Sequence, residues 1–311
     1  MLQIQENVPL RPKTTLKIGG EARYYAELSS KGDVEEAYQF AQEKNVPLIL
    51  LGGGSNTIFA DGTIEALVIK IKAEDVHVDG NTITVEGGKY LATLINELAE
   101  QELDLSSLTG IPGSIGGALY GNSGQGFGGT WIDTLVQTVD VFVDGEWKTL
   151  TKDECEFGYR TSIFKKWCHA EPGRSMDTAS SFERPQDDTT QPLIWSCALN
   201  ASSKPKDEIK SEIDRLLQKR IDTQPHVKTA GSCFLSLSKE TPAWKLIDAQ
   251  GLRGTSVGDI EVSEKHANFL INTGDATFED AKQMVQKIQA EVPEEMTVEM
   301  RFINEKGTCE F

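Results

Sequence analysis

Two short stretches of unusually bare backbone are where this chain could do chemistry. Leu108 to Gly124 reads LTGIPGSIGGALYGNSG, with six glycines and one proline among buried-type residues such as Ile111, Ile115 and Leu119. The other, Gly52-Gly53-Gly54-Ser55-Asn56, follows the apolar run VPLILL. A flexible linker would lack those apolar side chains. Glycine lets main-chain N–H groups converge without a Cβ in the way, and a concavity of such groups binds phosphate oxygens. Together, Gly52–Asn56 and Gly110–Gly124 suggest a pyrophosphate gripped from two sides. Tight turns at sheet ends are the plainer account of either stretch alone. No GxGxxG opens a helix after a strand and no GxxxxGK[ST] is present, which counts against a Rossmann site and a P-loop.

The reactive side chains are scattered. On their own, Arg160 in FGYRTSIFK reads as a surface ion-pair partner and Glu299 in VEMRFI as a solvent-facing strand residue. Tyr159 suits an aromatic core position, and His266 in KHANFLIN a structural histidine. Ser232 and Cys233 are neighbours in AGSCF. The thiol is the stronger acid, but adjacent residues of an extended segment face opposite ways, so only one can meet a given ligand. The five cysteines (Cys155, Cys168, Cys197, Cys233, Cys309) are odd in number and form no C-x-x-C pair. That argues against a disulfide framework and a structural zinc site, and no metal is expected.

Net charge is -17, a field that repels nucleic acid and anionic membranes. An anionic small ligand would need a local pocket of cations and N–H groups. Charged residues at 25% and hydrophobic residues at 38% leave room for a sizeable core. No apolar run approaches the ~20 residues that span a bilayer. The opening MLQIQENVPLRPKTT has no apolar signal core, so a cytoplasmic location is expected. Charge and composition leave the oligomeric state open, and a monomer is compatible with both.

The elements that must position these residues alternate between β and α. The stretch RYYAEL ending at Leu28 reads as a strand, and 31–44 has helical spacing at Val34, Ala37, Tyr38 and Ala41. VPLILL (46–51) and LVIKIK (67–72) read as strands, and VHVDGNTITVEGG (76–88) as a hairpin turning at Asp79-Gly80. Residues 90–103 look helical, the glycine-rich stretch reads as a turn, and LVQTVDVFVDG, EWKTL and PLIWSCALNAS as β. Between the last two, residues 168–191 are polar and unpatterned, a solvent loop or insertion. A new region starts near Lys204, where Ile209, Ile213, Leu216, Leu217 and Ile221 share one helical face. Thr277 can cap a helix burying Phe278, Ala281, Val285 and Ile288, and MTVEMRFINE closes the chain as a strand. The class is α+β.

Seven stretches, in order, carry a resemblance: TTLKIGGEARYY, PLILLGGGSNTIFADG, LTGIPGSIGGALYGNSG, CEFGYRTSIFK, AGSCF, AWKLIDAQGLRG with VSEKHANFLIN, and VEMRFI. From residue 14 to 303 the chain resembles the UDP-N-acetylenolpyruvoylglucosamine reductase (MurB) family of bacterial peptidoglycan synthesis. The resemblance implies a two-subdomain FAD-binding domain of the vanillyl-alcohol-oxidase type over 1–203, divided near residue 70. A C-terminal α/β substrate-binding domain over 204–296 and a last strand, 297–311, contributing Glu299, would follow. It implies that Gly52, Gly53, Gly54, Ser55 and Asn56 cradle the FAD pyrophosphate, with Ile111, Pro112, Gly113, Ser114, Gly116 and Gly117 opposite. Neither stretch holds a histidine, so noncovalent FAD is expected.

The family's reaction is two hydride transfers, from NADPH to flavin N5 and from the flavin to the enolpyruvyl group of UDP-N-acetylglucosamine enolpyruvate, giving UDP-N-acetylmuramate. By resemblance Arg160 and Glu299 stabilise the enolate-like charge, and Ser232 supplies the proton. Tyr159, His266 and Asn268 match positions near substrate, and Lys245, Lys265 and Arg253 are candidates for its phosphates. The chain departs from the family where Leu235-Ser236-Leu237 stands for Lys-Asn-Pro or Lys-Arg-Pro, leaving Ser236 as the possible polar contact. It departs again where SGQGFGGTW replaces an alanine-rich run after Asn122, and in the 168–191 insertion. A flavin oxidase of the same FAD fold, or a nucleotide-sugar-binding flavoprotein that has lost catalysis, are the competing functions.

Overall fold

A computed structural model describes residues 1–124, 129–169 and 192–311. Most of the 168–191 insertion therefore lies outside the described residues; its first two positions close the helix Ile163–His169. The class is α+β, as expected. The chain divides into two compact units that are not contiguous in sequence. One comprises Met1–Ile4, Ala26–Gly52 and Leu67–Leu217; the other comprises Gln5–Tyr25, Gly53–Ala66 and Gln218–Phe311. The contiguous division at 203/204 expected from sequence differs from this, because two N-terminal stretches belong with the C-terminal third. Among the described residues no helix is long and apolar enough to cross a membrane.

The first unit is built on a five-stranded antiparallel sheet. Its order is Glu146–Thr151, Val136–Val143, Leu193–Asn200, Thr82–Glu86, Val76–Asp79. Alternation sends Ile83, Val85, Val139, Val141 and Leu199 into one core, where they meet Leu91, Leu94, Ile95 and Leu98 of the helix Leu91–Ala99. The hairpin's last pair is Asp79↔Thr82, so the turn is Gly80-Asn81, one residue later than expected. Burying Ile83 and Val85 together sets that register, since a one-residue slip would turn both to solvent. The helix Lys31–Lys44 has the expected bounds, opened by a Ser30/Asp33 capping box and closed by left-handed Asn45. The helix expected over 90–103 ends at Ala99, because Leu103 is drawn into the core as part of a short strand with Ser202–Ser203.

The glycine-rich stretch is more than a turn. Ile115–Tyr120 is a helix whose N-cap, Ser114, accepts from the Gly117 N–H. Two glycines in six residues disfavour helix. Contact overrides that preference: the Gly116 N–H donates to the Gly87 carbonyl at 2.9 Å, and a Cβ on Gly116 would lie 3.2 Å from that oxygen. In the helix Lys206–Thr223, Ile209, Ile213 and Leu216 are buried, whereas Leu217 and Ile221 are 42% and 40% exposed. The buried stripe follows i, i+4, i+7, and Leu217 lies about 100° round from Leu216.

The second unit holds an antiparallel sheet in the order Thr229–Ser232, Phe269–Asn272, Ile260–Val262, Ser256–Val257. The helix Phe278–Glu291 begins at the expected Thr277, which with Asp280 forms a capping box. It buries Phe278, Ala281, Val285 and Ile288 as expected, and Met284 besides. The C-terminal strand is shorter than the expected MTVEMRFINE. Only Arg301–Ile303 forms a ladder, parallel to Thr57–Phe59, and Glu299 lies in the irregular segment before it. There Val298 makes an isolated bridge to Phe234, and the bonding directions are shared between two partners rather than one strand.

Candidate active site

In the second unit the loop Gly53–Asn56 is held from both sides. Thr15 donates to the Gly54 carbonyl through its N–H (2.9 Å) and its hydroxyl (3.2 Å), and that hydroxyl also reaches the Thr229 carbonyl (2.6 Å). The Asn56 amide donates to the Ala230 carbonyl (3.2 Å), and its own carbonyl accepts from the Arg301 N–H (2.9 Å). Gly54 has φ +66°, and a Cβ there would fall 2.2 Å from the Lys13 carbonyl oxygen. Only glycine satisfies both the dihedral and the contact. Among the described residues the N–H groups of Gly53, Gly54 and Asn56 find no acceptor. A fixed loop with unspent donors can receive phosphate oxygens.

Gly54→Ala is expected to lower the stability of the protein by at least about 1–3 kcal/mol, the strain of a side chain at a left-handed position. Flavin content after purification should drop with it. A melting curve and an absorbance ratio equal to wild type would contradict this.

The same unit runs the Glu299 segment beside the turn that carries Ser232. The Glu299 N–H donates to the Cys233 carbonyl at 2.8 Å. Gly231 has φ +79°, and the pairing with Phe269–Asn272 is irregular between Thr229 and Ser232, a bulge that re-aims the side chain after it. Ser232 is half-buried while Cys233 is 0% exposed, the opposite facing that an extended pair requires. Burial, with a smaller contribution from the Glu299 carboxylate, pushes the Cys233 thiol well up, away from use as an acid.

Most of the remaining candidates of this unit are engaged in holding the fold. Asn268, 5% exposed, donates to the Phe234 carbonyl and accepts from the Phe234 N–H, both at 2.9 Å. Ser236 accepts from the Ala243 N–H at the start of the helix Ala243–Ala249. Lys245 is exposed, its ammonium 5.7 Å from the Trp244 ring. Arg253 is paired with Asp248 (2.5 Å) and donates to the Glu264 carbonyl (2.6 Å), and the Lys265 ammonium donates to the Ile221 carbonyl.

His266 stands edge-on to Phe269 and accepts the Asn268 N–H at Nδ1, 3.3 Å away, which requires that nitrogen to be unprotonated. Burial first, and the Arg253 charge second, hold it below the ordinary histidine value of 6.5. As pH falls through 6.5 the unfolded chain takes up a proton that the folded one resists, so stability declines. Wild-type Tm should therefore fall more steeply on acidification than that of His266→Gln. Parallel curves would contradict the assignment.

The first unit carries the other glycine-rich stretch. Gly52 lies against Ser114, where a Cβ would come 3.0 Å from Oγ. Gly113 has φ +108°, its carbonyl accepts from the Leu91 N–H (3.1 Å), and the N–H groups of Gly113 and Ser114 find no acceptor among the described residues. Ile111 and Gly116 are buried, while Pro112 and Gly117 are exposed. Within each unit, then, bare backbone with unspent N–H donors fits a group carrying phosphate oxygens, as FAD does.

Arg160 also belongs to the first unit, in a tight turn where Gly158 and Thr161 exchange main-chain bonds of 3.0 and 3.3 Å. Its φ is +53°. Asn122 donates to the Gly158 carbonyl (2.9 Å) and accepts from the Asp133 N–H (3.2 Å), tying the turn to the glycine-rich stretch. The Arg160 guanidinium is half-buried over the Trp131 ring, 5.1 Å from its centroid, and donates to the Gly124 carbonyl (3.4 Å). Tyr159, 36% exposed, meets the same indole edge-on at 5.5 Å. Neither Trp131 nor Thr15 was legible as a site residue. A tryptophan within a glycine-rich run was the only signal for the first, and Thr15 had none.

Comparison with known proteins agrees with both halves of this description. The family model "FAD binding domain" matches residues 22–151, and "UDP-N-acetylenolpyruvoylglucosamine reductase, C-terminal domain" matches residues 224–302. The UDP-N-acetylenolpyruvoylglucosamine reductase of Agathobacter rectalis is 34% identical over 315 residues, covering 96% of this chain and 92% of that protein. Reductase 2 of Bacillus cereus is 32% identical over 312 residues, covering 97% and 93%. The crystal structure of the reductase (MurB) from Thermus caldophilus matches with a TM-score of 0.79 at 28% identity, covering 97% of this chain and 99% of that one. With an FAD-binding domain, a reductase C-terminal domain and relatives aligned over nearly its whole length, the chain belongs to the UDP-N-acetylenolpyruvoylglucosamine reductase (MurB) family of FAD-dependent oxidoreductases.

Proposed function

We propose that this chain reduces the enolpyruvyl group of UDP-N-acetylglucosamine enolpyruvate to UDP-N-acetylmuramate, a step of peptidoglycan synthesis, with NADPH as the hydride source. The loops at Gly52–Asn56 and Ile111–Gly117 would hold FAD without a covalent bond. FAD, when bound, supplies the redox chemistry that carries hydride from NADPH to the substrate's vinyl carbon.

The protein's own groups manage charge and one proton. Hydride arriving at the terminal vinyl carbon leaves an electron pair on the adjacent carbon, spread into the carboxylate. Arg160 is the cation assigned to that carboxylate, where a positioned charge lowers the barrier as negative charge develops. Glu299 shares the task in its protonated form, sharing that proton with the developing charge. Ser232 gives its hydroxyl proton to the carbon bearing the pair, which closes the new C–H bond and leaves the serine to recover a proton from its surroundings. The observation that carries this assignment is the Glu299 N–H to Cys233 carbonyl bond of 2.8 Å, which runs the Glu299 segment beside the turn bearing Ser232. The buried thiol of Cys233 favours Ser232 over its neighbour.

Incubation of the purified protein with NADPH and the enolpyruvyl nucleotide tests the proposal by mass spectrometry. One NADPH should be consumed for each product molecule two hydrogens heavier than substrate. NADPH consumption that depends on oxygen, with no such product, would favour the oxidase reading instead.

A further inference from the structure

We infer that Trp131 is a positioning residue for Arg160, its indole face setting where the guanidinium sits. The inference deepens the reductase reading and rests on it for the catalytic part. The backbone of Arg160 is fixed by the exchange of bonds between Gly158 and Thr161 and by its left-handed φ of +53°. Its side chain, with several rotatable bonds, is not fixed by that turn alone. The indole supplies a face 5.1 Å from the guanidinium carbon, within the range at which ring quadrupole and cation attract.

Trp131 is itself immobilised. It pairs with Gly124 in an isolated bridge, and a Cβ on Gly124 would lie 2.5 Å from the indole Cδ2, so the ring lies against bare glycine backbone. The Tyr159 ring braces it at 5.5 Å and 75°. The Gly124 carbonyl that receives the guanidinium belongs to the residue the indole covers.

The test compares wild type with Trp131→Leu and Trp131→Phe by two readouts. The first is the Nε–H resonance of Arg160 in protein labelled with ¹⁵N-arginine, assigned by its loss in Arg160→Lys. It should be displaced by the ring current in wild type, relax in Trp131→Leu, and stay displaced in Trp131→Phe. The second is turnover. Trp131→Leu should lower kcat about tenfold with KM for NADPH unchanged, and Trp131→Phe should recover to within about threefold, as expected for a contact of cation–π strength. A resonance unmoved by Trp131→Leu overturns the stacking. A moved resonance with unchanged kcat overturns the positioning role. A wild-type protein that shows the displaced resonance but makes no muramate product removes the reductase reading, and the catalytic part of this inference with it, while the stacking stands.

Discussion

Replacing Ser232 by alanine is expected to leave bleaching of the flavin band by NADPH at the wild-type rate, while recovery of the band on adding the enolpyruvyl substrate slows by on the order of 10²–10⁴-fold, the range for loss of a positioned general acid. The two halves separate because only the second needs a proton at carbon. Ser232 sits at the end of the strand Thr229–Ser232, half-buried, with its backbone aimed by the bulge at Gly231. Removing one oxygen from a half-buried side chain leaves Gly231 and the Cys233 main-chain bonds in place, so stability should change little. Cys233 cannot take over. It is 0% exposed and its thiol is held far from acidity by burial. Ser232→Cys should recover part of the rate, since a thiol at that exposure is a competent acid. Equal second-half rates in Ser232→Ala would move the proton donor elsewhere.

Glu299→Gln is expected to slow the same second half by roughly 10²–10³-fold, because an amide keeps the shape but has no acid proton to share with the developing negative charge. The main-chain bond from Glu299 to Cys233 does not depend on the side chain. The first half should again be untouched. A purely structural role for Glu299 would show instead as a lowered Tm with both half-reactions affected alike, which rapid mixing and a melting curve distinguish.

How much of this was legible in the sequence follows from the range of the interactions involved. The helices Lys31–Lys44 and Phe278–Glu291 were, because their capping boxes and apolar spacing lie within a few residues. The helix Ile115–Tyr120 was not. Its glycines argue against helix locally, and only contact with Gly87, nearly thirty positions away in the chain, reverses that. The interleaving of Gln5–Tyr25 and Gly53–Ala66 with the C-terminal third was hidden for the same reason. It rests on bonds such as Asn56 to Ala230 and Arg301 to Asn56 that no local pattern announces. Family resemblance singled out Ser232 and Glu299, and a main-chain bond joins Glu299 to Cys233, the residue after Ser232. By contrast, the full engagement of Asn268 with Phe234, the capping role of Ser236 and the indole beneath Arg160 emerge only once side chains have partners.

The most direct measurement is a sequential anaerobic mixing experiment on the wild-type protein. NADPH is mixed in first and the enolpyruvyl nucleotide second, with the flavin's visible band followed throughout. The account predicts loss of the band with NADPH and its full return with the nucleotide in the absence of oxygen, one muramate product forming per flavin. A band that stays bleached until oxygen is admitted would contradict it.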